Sequence, residues 1–146
     1  MQSAKNKGDY YNLLILDLTG YQNLIMSVKI KAVAGDEDQG GGMVWRYIDN
    51  NNYYIARYNP LENNFRFYKV VNGNSKQLKS VDCNIASGVW CTMMIEMDGN
   101  KISCLLNGNK LIETTDDTYK AAGRVGLWSK ADAQTCFDDL IIQSLK

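Results

Sequence analysis

From Gly42 to Val71 the chain reads GMVWRYIDNN NYYIARYNPL ENNFRFYKVV, and this stretch decides the fold. Three runs of aromatic and β-branched residues are separated by turn residues. Asp49-Asn-Asn-Asn52 splits the first two runs. Asn59-Pro60 and Asn63-Asn64 bracket the next turn. Asn, Asp and Pro punctuate strands because Asn and Asp tolerate left-handed backbone and Pro fixes φ. Each run alternates with period two, the signature of a strand with two different faces. Met43, Trp45 and Tyr47 point one way, with Val44, Arg46 and Ile48 opposite. Tyr54, Ala56 and Tyr58 oppose Tyr53, Ile55 and Arg57. Phe65 and Phe67 oppose Arg66, Tyr68 and Val70.

The same pattern continues in both directions. Strands are expected over 12–18, 23–33, 42–48, 53–59, 64–71, 76–83, 89–97, 101–106, 109–114, 123–129 and 135–143. Asn72-Gly73, Asp98-Gly99 and Asn107-Gly108 are hairpin signals, since both residues of such pairs accept positive φ. No segment carries a helical apolar stripe, and Thr118 to Ala122 has room for one helical turn at most. Many short strands at regular spacing predict a two-sheet antiparallel sandwich. With 146 residues, the chain corresponds to one domain, 1–146, without internal repeat or linker.

Composition narrows the function. Sixteen Lys and Arg balance sixteen Asp and Glu, which argues against a broad footprint for nucleic acid or anionic membrane. Histidine is absent, so Ser-His-Asp and Cys-His catalysis and His-ligated metals are excluded. No apolar run reaches the ~18 residues of a membrane helix, so no membrane insertion is expected. Residues 1–7 lack the apolar core of a signal peptide. Cys83, Cys91, Cys104 and Cys136 contain no C-x-x-C pair. The first three fall in step with apolar neighbours and read as buried thiols. A Cys91–Cys104 disulfide needs a strand register that the sequence does not fix.

Arginine is distributed unevenly. Of four arginines, Arg46, Arg57 and Arg66 fall on one face of the three strands, beside Tyr53 and Tyr68. A later strand, with Val125 and Leu127 inward, adds Trp128 and Lys130 to an outward face. Aromatic rings stack on the apolar faces of sugars, and guanidinium groups donate to hydroxyls and carboxylates. These seven residues form the expected ligand face. The competing reading is that the arginines merely pair across strands with Glu62, Asp49 or Asp138.

Several motifs occur in order: Gly40-Gly-Gly-Met-Val-Trp45, Asn52-Tyr-Tyr-Ile-Ala-Arg57, Pro60 to Gly73, Gly88-Val-Trp90, Leu106-Asn-Gly108, Gly123-Arg-Val-Gly-Leu-Trp128 and Phe137-Asp-Asp-Leu140. Together they resemble the concanavalin A-like lectin/glucanase superfamily. Within it they are most similar to bacterial laminin-G-like domains and to the 3-keto-disaccharide hydrolase, or family-16 glycoside hydrolase-like, domains. The resemblance implies an all-β jelly roll with one concave sheet, carbohydrate as ligand, and a secreted or periplasmic location. Relatives begin with an extra segment before the region matching Asn12, so a trimmed or short form is expected. The resemblance also implies a possible structural calcium near Asp138 and Asp139. The acidic loop from Gly35 to Gly40 is a weaker calcium candidate, because its spacing departs from the EF-hand pattern.

The expected function is non-catalytic carbohydrate binding on the concave sheet. Family-16 glucanases carry Glu-x-Asp-x-Glu on one strand, which a retaining carboxylate pair requires. The nearest trace, Glu96-Met97-Asp98-Gly99-Asn100, lacks the third acid and reads as a hairpin. The alternatives are a glycoside hydrolase-like enzyme using a carboxylate pair, and a laminin-G-like domain that assembles with other domains or copies of itself.

Overall fold

The computed structural model describes residues 10–18 and 20–145. Residues 1–7, which lack a signal-peptide core, lie outside that range. The strands are β1 (Tyr11–Ile15), β2 (Leu24–Ala34), β3 (Gly41–Asp49), β4 (Asn52–Asn59), β5 (Asn64–Val71), β6 (Asn74–Asp82), β7 (Cys91–Asp98), β8 (Lys101–Leu106), β9 (Asn109–Thr115), β10 (Arg124–Lys130) and β11 (Gln134–Ser144). Each coincides with an expected strand to within a few residues. The hairpins obey the turn chemistry: Asn107 and Gly108 have φ of +50° and +80°, so the tight β8–β9 turn suits the twist of its strands.

Six strands form one sheet in the order β1-β10-β3-β4-β5-β6, and five form the other in the order β11-β2-β7-β8-β9. Every pairing is antiparallel. The result is the expected jelly-roll sandwich.

The core between the sheets is built by alternation. Leu24, Met26, Val28, Ile30 and Ala32 of β2 meet Met93, Ile95 and Met97 of β7 in one layer. Trp45, Tyr54, Phe65 and Phe67 supply the other. Trp45 stacks on Phe67 with ring centroids 5.6 Å apart. Aromatic pairs of this kind add roughly 1 kcal/mol beyond the area they bury.

A second apolar cluster lies on the other face of the six-stranded sheet. It comprises Val44, Tyr47, Tyr53, Ile55, Val70 and Trp128, flanked by Tyr11, Leu13, Ile15 and Tyr68. This sheet is therefore buried on both faces in its middle. That explains why β3 and β4 read as nearly continuous apolar runs. The outer face is drier than the sequence suggests.

On the strand that carries the expected ligand face, alternation breaks at Arg46. Its φ is +46°, and the β3–β4 register shifts between Trp45 and Asp49. An extra residue of this kind shifts the phase of the residues after it. Tyr47 therefore joins Val44 in the outer cluster and stacks on Tyr53 at 5.7 Å.

The four cysteines are free thiols. Cys104 pairs across β7–β8 with Ile95, and Cys91 pairs with Ile30 of β2, so no register brings Cys91 and Cys104 together.

Candidate functional site

The outer face of the six-stranded sheet holds a recess of about 250 Å³. Strand register builds it from a transverse row. Leu13 of β1 lies opposite Trp128 of β10, Trp128 opposite Gly42 of β3, Gly42 opposite Arg57 of β4, and Arg57 opposite Arg66 of β5. Gly42 lets β3 and β4 approach closely beside the indole and the guanidinium. A Cβ there would sit 1.8 Å from the Ala56 carbonyl oxygen, so no other residue fits this close strand approach.

Five of the seven expected residues line the recess: Arg57, Arg66, Tyr68, Trp128 and Lys130. Arg57 is buried and donates to the Glu62 carboxylate at 3.0 Å, to the Tyr68 hydroxyl at 3.4 Å and to Asn64. Its guanidinium also lies 5.8 Å from the centre of the Tyr68 ring, within cation–π range. Arg66 donates to the Tyr68 hydroxyl at 3.1 Å and to Ser80 at 3.2 Å, and its guanidinium lies 3.6 Å from Glu62. Two cations directly opposite on adjacent strands repel. Glu62 offsets that repulsion by accepting from one and facing the other. The Arg66 side chain is 30% exposed and that of Arg57 only 6%, so Arg66 is the more accessible guanidinium.

The expected residues are not equally accessible. Tyr53 is on the correct face but fully buried in the outer cluster; it does not line the recess and offers no ring to solvent. Trp128 is nearly buried, with the Tyr11 ring 5.3 Å away. The Tyr53 hydroxyl and the Trp128 Nε1 are both buried, and the indole N–H faces that hydroxyl outside good hydrogen-bond geometry. Arg46 does not share the face at all, and this corrects the expectation. The bulge turns its side chain to the end of the sandwich. There it donates to the carbonyls of Gln22 at 2.9 Å, Gly99 at 2.7 Å and Tyr119 at 2.5 Å. Arg46 is a structural clamp between loops.

Two acids carry weight in the recess: Glu62, which pairs with Arg57 and Arg66 as the competing reading expects, and Asp38. Glu62 sits on the turn after β4, where the Asn59 Oδ1 accepts from the backbone of Leu61 and Glu62 at 2.9 and 3.3 Å. Burial alone would raise the Glu62 carboxyl, but Arg57, Asn64 and Arg66 outweigh it and hold it below the usual range. Asp38 enters from the acidic loop. The backbone N–H groups of Asp36, Glu37 and Asp38 converge on the Asp132 carboxylate at 2.7, 3.1 and 3.0 Å. That wraps the loop around Asp132 and turns the Asp38 side chain inward. Asp38 accepts from Asn59 Nδ2 at 2.6 Å and lies 3.9 Å from the Lys130 ammonium. Burial raises its carboxyl, against the pull of Lys130 and Arg57. The sequence names the acidic loop but gives no sign of the Asp132 anchor, which lies 94 residues away from Asp38.

Glu96 and Asp98 are exposed on β7 in the other sheet, and Gly99, with φ of +61°, makes the turn after them. They do not reach the recess. Asp138 and Asp139 lie where the β11–β2 register shifts. The Asp139 carboxylate is held by Lys29 at 2.8 Å, so a cation there would compete with an ammonium. Among the described residues, no group of three or more acidic or cysteine side chains could hold a metal. No helix among them is long and apolar enough to cross a membrane.

Solved structures share the fold. The carbohydrate-binding module CBM66 from Bacillus subtilis superposes with a TM-score of 0.87 at 18% identity, over 98% of this chain and 91% of that one. A putative glycosyl hydrolase from Parabacteroides distasonis gives 0.68 at 17% identity, over 93% and 84%. Sheep galectin-11, solved in complex with glycerol, gives 0.63 at 8% identity, over 97% and 100%. Curated protein sequences give no match. A family profile matches residues 3–143, nearly the whole chain, and by that match the protein belongs to the 3-keto-alpha-glucoside-1,2-lyase-like domain family.

Proposed function

We propose that this domain binds carbohydrate in the recess of the six-stranded sheet, with Arg66, Lys130 and Asp38 contacting hydroxyl or carboxylate groups and Tyr68 lending its ring. The observation that carries the reading is the convergence of three cations, two carboxylates and three aromatic side chains in one small recess. Arg57 and Glu62 act as its preorganised frame, since their groups are already engaged with each other. Frames of this kind spare a ligand the ordering cost of the side chains it meets. The fold shared with a carbohydrate-binding module and a galectin supports the ligand class. A domain of this kind meets its glycan outside the cytoplasm, so export belongs to the proposal.

The opposite shifts of Asp38 and Glu62 favour a second, catalytic reading. Paired carboxyls with divergent pKa values suit acid and base roles. A 1,2-elimination beside a 3-keto group, the reaction in the family's description, would have Glu62 take the C2 proton. The C1–C2 double bond forms, the C1–O bond breaks, and Asp38 in its acid form would give its proton to the departing oxygen. Against it, two guanidinium groups make Glu62 a weaker base than an ordinary carboxylate. Binding without turnover is therefore the preferred reading.

The test is a broad glycan array with purified protein, wild type and Arg66→Ala, in calcium and then in EDTA. Arg66 is partly exposed and makes only side-chain contacts with Ser80, Tyr68 and Glu62, so the variant is expected to fold. Specific binding by wild type, reduced at least ~10-fold in the variant and unchanged by EDTA, is expected. Equal binding by both proteins would contradict this site. Conversion of a 3-keto-glucoside, abolished in Glu62→Gln, would replace the binding reading by the catalytic one.

A further inference from the structure

Exposed sheet edges carry unpaired N–H and C=O groups and invite another strand, so proteins blunt them with charge, proline or bulges. Three of the four edge strands here are blunted. β6 carries Lys76, Lys79 and Asp82, and β9 carries the ion pair of Lys110 with Glu113. β11 carries Asp138 and Asp139 at a break in register. Among the described residues, β1 has none of these devices. Its sequence, Tyr-Asn-Leu-Leu-Ile, holds no charge and no proline, and it pairs with β10 without a bulge. Leu14 and the adjoining Tyr10 are each 62% exposed. A groove of about 680 Å³ runs along the edge, with Leu14, Leu127 and Phe137 in its walls.

We propose that β1 pairs with β1 of a second copy of this chain, giving a reversible dimer with one continuous sheet. The backbone fixes the register. The Tyr10 carbonyl accepts from Ala131 N–H at 2.8 Å, and the Leu16 N–H donates to the Val125 carbonyl at 2.9 Å. Even-numbered residues of β1 thus turn their backbone groups toward β10. By antiparallel alternation, Tyr11, Leu13 and Ile15 turn theirs to the open edge. A twofold axis through Leu13 lets Leu13 pair with its own copy and Tyr11 with the copy's Ile15, using every outward group. Asn12 then lies opposite the copy's Leu14, which covers the most exposed leucine. The side-chain row of Tyr11, Leu13 and Ile15 meets itself, so the outer cluster continues across the axis without any charge opposing another. A charged partner strand would leave its charges against this apolar row, and for that reason the structure favours a second copy. Both recesses would open on the same side of the joined sheet.

An edge of five residues buries less than the ~800 Å² per partner of a standard interface. Dissociation constants on the order of 10–100 μM are expected. Sedimentation equilibrium from ~5 to ~500 μM tests this, with the Leu14→Lys variant alongside. Wild type should rise from the monomer mass of 16.5 kDa toward twice that value. The variant should stay monomeric and folded, since Leu14 has little to lose in its own sheet. Amide exchange gives a second reading: the Tyr11, Leu13 and Ile15 amides should slow with concentration, while amides of β6 should not. A monomer at every concentration would overturn the proposal, and so would a dimer that survives Leu14→Lys. Protection of those amides independent of concentration would assign the edge to a segment of the same chain and overturn it equally. Glycan binding is not needed for any of these readings.

Discussion

Asp116 illustrates what a single side chain contributes here. It accepts from the Tyr54 hydroxyl at 2.6 Å, from Lys69 Nζ at 3.2 Å and from the Thr118 N–H at 2.9 Å. Burial alone would raise its carboxyl, but these donors outweigh burial and hold it at about 2. A depressed acid stabilises the fold at pH above its unfolded value, and the contribution fades as pH falls from ~4 toward 2. Asp116→Asn should therefore cost about 2 kcal/mol at pH 7 and almost nothing at pH 2. Urea midpoints of both proteins at the two pH values check this, and an equal gap at both would refute it. Such roles are only partly legible in the sequence. Arg57 and Arg66 stand out by their rarity and by sharing a face. Asp116 reads as a turn residue without chemistry, because its partners Tyr54 and Lys69 lie 62 and 47 residues away. Neither periodicity nor local turn chemistry reports contacts at that range.

Strand by strand, period-two alternation locates all eleven elements, because the core demands an apolar residue at every second position. It misplaces side chains only where the period slips. Nothing in Trp45-Arg46-Tyr47 announces a bulge, since Arg46 is neither Gly nor Asn, yet it adopts φ of +46°. The slip sends Arg46 from the outer face to the end of the sandwich and brings Tyr47 out to replace it. That position has a measurable consequence. Arg46 is 1% exposed and satisfies carbonyls from three separate loops. Removing it leaves those acceptors without a donor, at about 1–3 kcal/mol for each that stays dry. Arg46→Met should lower stability by about 3 kcal/mol or more, seen as a reduced urea midpoint with unchanged slope. Its folded fraction should keep the glycan affinity of wild type. Normal stability with lost binding would return Arg46 to the ligand face.

At the scale of the molecule, the two sheets do different work. The five-stranded sheet turns every second residue toward solvent, as its β7 pattern shows. The six-stranded sheet is packed on both faces, and its outer cluster leaves a small recess bordered by Trp128, Arg57 and Tyr68. Charge collects at that opening although the whole chain is neutral, which is why net charge gives no hint of it. The chain's three tryptophans probe the arrangement independently. Trp128 lines the recess, Trp45 is fully buried in the core, and Trp90 is exposed with Lys31 5.0 Å from the centre of its ring. A titration of the protein with its best array glycan, followed by the three indole N–H resonances, tests the recess most directly. The Trp128 resonance should shift and saturate while those of Trp45 and Trp90 stay in place; a shift confined to Trp90, or none at Trp128 while binding saturates, would contradict the account.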